Sequence, residues 1–247
     1  MSRYRLIEFA ELDSTNRHAC SRLRGLADGD VIQAAIQTAG RGRWSRKWIS
    51  DVPGNLCLSL VLKPAGVPAD LPLASLSQLL AFSASQALES YRVQPALKWP
   101  NDIQVGGRKI AGILAETVVE GSAFLGLVLG IGVNLNLNRE TLAMIDQPAT
   151  ALNLELGTEV DVNAFRDLLL EAFFSRYNDF LSAGFPLIRA EYLRRCPFLG
   201  REIELRSPLG SQRGIACGIS EAGELEFLAA DGTLRQVALG EIVNPAG

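Results

Sequence analysis

At 247 residues, 48% hydrophobic and 21% charged, the chain holds enough apolar material for one substantial core and a small satellite domain. Its 24 Lys and Arg against 27 Asp and Glu leave a formal charge of -3, which excludes a global positive field drawing it to nucleic acid or anionic lipid; any cationic site must be local. The most apolar stretches, Leu76 to Ala84 and Ala123 to Val133, are interrupted by Ser, Gln or Gly and fall short of the ~20 residues that span a bilayer, so no membrane segment is expected.

The start, MSRYRLIEFAELDSTN, scatters charges among its apolar residues and does not read as a signal peptide. Tyr4 to Phe9 reads as a first strand, and Ser14-Thr15-Asn16 supplies the N-cap of a helix running to about Leu26, ahead of a turn at Asp28-Gly29-Asp30. Val31 to Ile36 is a second strand. It leads into the loop Gly40-Arg41-Gly42-Arg43-Trp44-Ser45-Arg46-Lys47-Trp48, and Leu56 to Leu62 is a third strand beyond it. Pro72 suits the first turn of a helix whose Leu73, Leu76, Leu79, Leu80, Ser83, Ala84 and Ala87 follow a helical period.

Ala96 to Trp99 precedes Ile103 to Val105 and a hairpin at Gly106-Gly107, where two glycines supply the positive φ angles of a tight turn. The return strand spans Ile110 to Val119, and Ala123 to Leu137 continues as a long apolar strand. Asn163 to Leu181 has helical spacing through Phe165, Leu168, Leu169, Ala172, Phe173 and Tyr177. After Cys196-Pro197 the texture becomes short alternating strands, REIELRS, RGIACGIS, GELEFLA and TLRQVA, predicting a small β-barrel over Phe198 to Val243. The fold class is α+β: a mixed β-sheet with packed helices over residues 1–196 and a small barrel over 197–247.

Little in the inventory suits nucleophilic catalysis. His18 is the one histidine, and Cys20, Cys57, Cys196 and Cys217 form no CxxC pair, which points to reduced thiols in a cytoplasmic protein. The chemistry must rest on positioning and electrostatics. The arginine loop packs four cations and two glycines into nine residues, a composition suited to anions and close backbone approach, although a basic loop alone also fits solvated surface or a nucleic-acid contact. In KWPND, Lys98, Asn101 and Asp102 sit at a strand-to-hairpin junction. Lys109 begins an apolar run whose burial aims it at the mouth of the core. The strand glycines of Gly130-Ile131-Gly132-Val133-Asn134 either weaken packing or let something flat approach the backbone. Asn134 reads a base edge or satisfies a turn.

Together these segments resemble the biotin protein ligase family, whose patterns STN, QxAGRGR, KWPND, K(I/L)AGIL and GxGxN match here in order at Ser14 to Asn16, Gln37 with Ala39 to Arg43, Lys98 to Asp102, Lys109 to Leu114, and Gly130 to Asn134. The C-terminal barrel matches the family's SH3-like domain. The resemblance implies two steps: biotin carboxylate attacks the α-phosphate of ATP to give biotinyl-5′-AMP and pyrophosphate, and a lysine of a biotin carboxyl carrier domain, such as that of acetyl-CoA carboxylase, then attacks the mixed anhydride. Biotin, ATP and Mg²⁺ are implied, with the metal ligands unspecified.

By resemblance, Ser14, Thr15, Asn16 and Gln37 hydrogen-bond the ureido ring, the backbone of Arg41, Gly42 and Arg43 closes over biotin, and Gly112 and Leu114 line its pocket. Lys109 holds the carboxylate and α-phosphate together. Arg43 and Arg46 contact phosphate, while Trp48, Asn101 and Asn134 lie on the nucleotide side. Asp102 orients Lys109, acts near the metal, or assists the incoming amine. Ser45 stands where many relatives carry glycine in GRGRxGR, which bears on the loop's mobility and not on its charge.

Only thirteen residues precede Ser14, so a DNA-binding domain of the kind some relatives carry is not expected, nor is sequence-specific DNA binding. An exposed sheet edge makes a homodimer possible by strand addition. The rivals are a lipoate or other acyl ligase on the same fold, a nucleic-acid-binding module using the basic loop with Trp44 and Trp48, and a biotin sensor that binds without transferring.

Overall fold

All seven residues of Leu56–Leu62 are buried, because this run forms an interior strand of a seven-stranded sheet covered on both faces. The computed structural model describes residues 4–64, 73–207 and 210–243. The strands are β1 (Arg5–Leu12), β2 (Asp30–Gln37), β3 (Leu56–Leu62), β4 (Pro95–Lys98), β5 (Asp102–Val105), β6 (Arg108–Glu120) and β7 (Ala123–Val133), in the order β1-β2-β3-β7-β6-β5-β4. β1 and β2 are parallel and the other pairs antiparallel, a mixed sheet as expected. Gly106 and Gly107 both take positive φ in the β5–β6 hairpin.

Strand alternation divides the core. Leu56, Leu58, Leu60 and Leu62 of β3, with Leu127, Leu129, Ile131 and Val133 of β7, face the larger cluster. It includes helix α2 (Leu76–Ser90), which lies between the sheet and the long helix α5 (Val162–Ala183) and is accordingly buried on nearly all sides, its polar residues there being small serines and Gln78. Pro72 lies outside the described residues. On the opposite face, Val61 and Val128 pack under helix α1 (Thr15–Ser21) with Ala19, Leu23 and Ile32.

Several elements differ from expectation. The first helix ends at Ser21, where the Arg22 N–H is shared between the helical carbonyl of His18 and that of Ala19; a single 3₁₀ turn over Leu23–Gly25 follows and places Leu23 in the core. The long apolar strand stops at Val133, four residues short of Leu137, where Asn55 Oδ1 takes the N–H groups of Leu135 and Asn136 at 3.0 and 3.3 Å and pulls the chain off the sheet. Helices α3 (Arg139–Ala143) and α4 (Leu152–Leu156) fill the connection to α5, and α6 (Pro186–Leu193) follows it; at five, five and eight residues they are too short for periodicity to reveal. Leu168 of α5 turns outward and is 38% exposed.

The C-terminal segment forms a separate antiparallel sheet of five strands, consistent with an SH3-like domain. These are β8 (Glu202–Ser207), β9 (Gly210–Ile219), β10 (Leu225–Ala229), β11 (Leu234–Val237) and β12 (Glu241–Val243), ordered β11-β10-β9-β8-β12. Its apolar residues Ile203, Leu205, Ile219, Leu225, Phe227 and Ile242 join the larger core without a break. The Gly223 carbonyl accepts both Gln78 Nε2 of α2 (2.8 Å) and the Trp99 indole N–H (3.1 Å), so the small sheet is locked beside KWPND. All four cysteines are free, and burial pushes the Cys57 thiol up to about 11. Among the described residues, no helix is long and apolar enough to cross a membrane.

Candidate functional site

On the α1 side of the sheet the alternation presents glycines where side chains would stand. Gly112 of β6 pairs directly with Gly132 of β7, and Leu114 with Gly130, which leaves a shelf of bare backbone. The flat group that approaches it is the protein's own Trp48. A Cβ on Gly132 would lie 2.2 Å from the indole, and one on Gly112 would meet Lys109 Cε at 3.0 Å and the same ring at 3.3 Å. A Cβ on Gly130 would lie 2.1 Å from Asn16 Oδ1.

Polar groups converge above the far end of the shelf, delivered by the first turn of α1. Ser14 caps that helix by accepting the Arg17 N–H at 3.5 Å, which leaves its hydroxyl proton to donate. Gln37 Oε1 takes both the Thr15 N–H (2.9 Å) and the Thr15 hydroxyl (3.1 Å), and Gln37 Nε2 is anchored on Ser50 Oγ (3.2 Å). Asn16 commits both amide protons, one to the Leu114 carbonyl (3.1 Å) and one to Glu116 Oε2 (2.9 Å), and its Oδ1 lies 2.6 Å from Ser59 Oγ. Two lone pairs serve Oδ1 and one faces Ser59, so the group Asn16 retains for a ligand is an acceptor.

The arginine loop closes over this cavity, and its residues are fastened to different walls. Gly40 and Trp48 join the ends of the loop through a 3.0 Å backbone bond. Arg41 pairs with Glu116 of β6 at 3.1 Å. Arg43 donates to Asn101 Oδ1 (2.9 Å) and to the Gly240 carbonyl of the C-terminal sheet (3.2 Å), and Arg46 makes a two-point pair with Glu241 at 2.8 Å each. Both guanidinium groups lie over the Trp44 ring, 5.0 and 5.8 Å from its centroid, with Trp44 itself at φ 52°. A left-handed non-glycine residue is the kind of local strain that surrounding contacts must hold in place, and here two stacked cations do so.

At the inner end of the loop Lys109 Nζ stands 2.7 Å from Asp102 Oδ1, with the two side chains only 15% and 10% exposed. The approach is close but poorly aligned, so Asp102 Oδ1 has no aligned hydrogen-bond donor. Burial lowers the Lys98 pKa against the raising influence of Asp102 and Glu241. Burial likewise lowers that of Arg43, which nevertheless stays charged. Burial opposes the Glu241 carboxylate, but the Arg46 hydrogen bonds and charge, with Lys98 and Lys109, hold its pKa below the usual carboxylate range.

Two cavities meet here. An inner one of about 80 Å³ is lined by Ser14, Thr15, Asn16, Gln37, Gly112 and Leu114 under the loop. An outer cleft of about 850 Å³ is lined by Lys98, Asn134, Met144, Asp146, Arg206 and Glu241, and Arg46, Trp48 and Lys109 border both. Of the residues given a ligand or catalytic role from sequence, all but one line the inner cavity. The exception, Asn134, lies on the outer cleft, with its amide donated to the Thr150 carbonyl at 3.0 Å. Sequence reasoning missed Ser59, Glu116, Gln147 and Glu241. Ser59 carried a signal, one hydroxyl inside the otherwise apolar LCLSLVL; Glu241 carried none, since only tertiary docking brings it to the loop.

Comparison with known proteins bears on this geometry. Residues 8–134 match the model of the biotin/lipoate A/B protein ligase family. The chain is 36% identical over 221 residues to a biotin–[acetyl-CoA-carboxylase] ligase of Paracoccus denitrificans, covering 87% of this chain and 91% of that protein. It is 30% identical over 232 residues to the bifunctional ligase/repressor BirA of Escherichia coli, covering 94% and 71%. Among solved structures, the biotin protein ligase from Aquifex aeolicus in complex with biotin and ATP matches with a TM-score of 0.82 and 29% identity, covering 97% of each chain.

Two outcomes are expected. In Gly132→Ala the new methyl displaces the Trp48 ring, so indole emission changes, and adding Trp48→Phe abolishes the difference; unchanged emission would mean that the ring does not rest on the shelf. For Glu241, a depressed pKa means that the Arg46 pair is complete above the ordinary value and is lost as pH falls through the lowered one. A ¹³C titration should place its midpoint below the usual ~4.3, and Arg46→Met should move it upward. A midpoint at or above the usual value with Arg46 intact would remove the pair as an anchor.

Proposed function

The chain belongs to the biotin/lipoate A/B protein ligase family, and we infer from that premise that it is a biotin protein ligase, an enzyme that joins biotin to protein with ATP. The observation that carries its mechanism is the nearly buried Lys109 ammonium at the boundary of two cavities, paired with Asp102. A carboxylate and an α-phosphate repel each other, and a fixed cation between them in a poorly hydrated site stabilises the charge that their approach concentrates.

In this reading biotin enters the inner cavity and ATP the outer cleft. A biotin carboxylate oxygen bonds to the α-phosphorus, the bond from that phosphorus to the bridging oxygen breaks, and pyrophosphate leaves. The acceptor lysine amine then bonds to the acyl carbon, AMP leaves with the former bond pair, and the amine loses its proton. Lys109 bridges both reactants, and Arg43 and Arg46 supply further phosphate contacts. Of the three roles open to Asp102, holding Lys109 is supported by their contact, and its unaligned Oδ1 is suited to receive a hydrogen bond from the incoming amine. Asn101 acts through Arg43, whose guanidinium it holds.

The ring site favours biotin over lipoate. Asn16 offers an acceptor and Ser14 a donor, matching the N–H and carbonyl groups of a cyclic urea, whereas a dithiolane has neither. Gly112 and Leu114 line the ring's approach, Thr15 and Gln37 brace one another beneath it, and the backbone of Arg41 to Arg43 covers it. Trp48 and Asn134 border the nucleotide side.

ATP is taken as its magnesium complex. Mg²⁺ commonly keeps waters and binds through substrate phosphates with one or two carboxylates; Asp102 or Asp146, which line the cavities, would supply such a carboxylate. The ion neutralises phosphate charge when bound.

The acceptor is a biotin carboxyl carrier domain. We divide the chain into a ligase domain, 1–196, and an SH3-like domain, 197–247, supported by the separate sheet that begins at Glu202. A homodimer by strand addition is supported by β6, which β5 pairs only as far as Gly112, so that its outer edge from Leu114 to Glu120 has no strand partner among the described residues.

ATP–pyrophosphate exchange tests the reading. Biotin should support exchange and lipoate should not, and Lys109→Ala should lower the biotin-dependent rate by roughly 10²- to 10³-fold. Full activity in that variant, or equal use of lipoate, would contradict it.

A further inference from the structure

Glu116 lies two residues beyond the Leu114 that lines the inner cavity, on the same face of β6, with its side chain 25% exposed. Its two carboxylate oxygens have different partners. Oε2 accepts the Asn16 amide at 2.9 Å, and Oε1 faces Arg41 Nη1 at 3.1 Å. One carboxylate thus joins the buried Asn16 to the first arginine of the closing loop, residues that come from the first turn of a helix and a loop 25 positions apart.

An asparagine amide can present either its donors or its acceptor to a ligand, and its orientation is set by the partners that take its protons. The Leu114 carbonyl takes one Asn16 proton but leaves the other uncommitted. Glu116 takes the second with a charged acceptor, so that both protons are committed and Oδ1 is held toward Ser59 and the cavity. Gly130 permits the arrangement, since any Cβ there would collide with the same oxygen.

We propose that Glu116 is a positioning residue for the ligation: it fixes Asn16 as a hydrogen-bond acceptor for the ureido N–H and, through Arg41, ties the closed loop to an occupied ring site. The proposal rests on the reading of the inner cavity as the biotin site. It makes recognition and closure share one charge. A ligand that engages Asn16 stiffens Glu116, and Glu116 in turn holds Arg41.

The test is steady-state kinetics of Glu116→Ala, Glu116→Gln and Asn16→Ala, with KM for biotin and for ATP measured separately, and the rate at which preformed biotinyl-AMP escapes into solution. Glu116→Ala should raise the biotin KM about ten- to hundredfold, as expected for losing a hydrogen bond to a charged group, with the ATP KM within about twofold. Glu116→Gln keeps an acceptor for Asn16 but loses the Arg41 ion pair, so it should leave the biotin KM within about threefold while speeding adenylate escape. If Asn16→Ala raises the biotin KM and Glu116→Ala does not, the proposal fails and the assignment of the ring site stands. If Asn16→Ala leaves the biotin KM unchanged, the ring site itself is misassigned. A Glu116→Ala variant that lowers thermal stability and shifts both KM values equally would overturn the positioning role.

Discussion

A sheet can form the floor of a binding site only where its side chains are absent, and here that constraint is met by a few glycines facing one another on two strands. Gly112 opposite Gly132, with Gly130 beside Leu114, bares the backbone of β6 and β7 on one face, while their neighbours Ala111, Ile113, Leu129 and Ile131 fill the core on the other. Three of the groups that reach the cavity do so because the floor is flat. Trp48 can lie on it, Asn16 can lower its carbonyl against it, and Lys109 can fold back beside it. A larger residue at any of these glycines would meet one of those three groups.

The walls are electrostatic. Lys109, Arg41, Arg43 and Arg46 surround a small volume, and like charges so close would repel each other without counter-groups. Asp102, Glu116 and Glu241 each face one cation, and Arg43 is held by neutral acceptors, Asn101 Oδ1 and the Gly240 carbonyl. Arg43 thereby keeps its charge uncompensated by direct contact while being largely removed from water, the condition under which an incoming phosphate is attracted most strongly. The C-terminal segment contributes Gly240 and Glu241 to this arrangement, so it helps complete the cavity wall. Its docking on Trp99 and Gln78 through Gly223 is what holds those residues at the loop.

Much of this was legible in the sequence where function imposes rare residue combinations. The arginine loop, STN, KWPND and the strand glycines each stood out as departures from ordinary strand or helix patterning, and the structure brings them to one cavity. Strand glycines admitting a flat group are realised in a way periodicity could not foresee, because the group is Trp48 from the same chain. Asn134 shows the reverse limit: a polar residue at the end of a strand fits a ligand contact or a turn equally well, and its amide is spent on the Thr150 carbonyl. Short helices α3, α4 and α6 left no usable period, and Glu116 and Glu241 are ordinary acidic residues until tertiary contacts place them opposite arginines. The early end of α1 was hidden for the same reason, since it depends on where Leu23 is buried.

The account turns on one ligand spanning both cavities with its reactive junction at Lys109. A crystal structure with a non-hydrolysable analogue of biotinyl-5′-AMP tests this most directly. The predicted result puts the fused ring against Asn16 and Ser14, the adenine in the outer cleft, and the acyl–phosphate junction about 3 Å from Lys109 Nζ. A junction beyond the reach of Lys109, or a ring bound in the outer cleft, would contradict it.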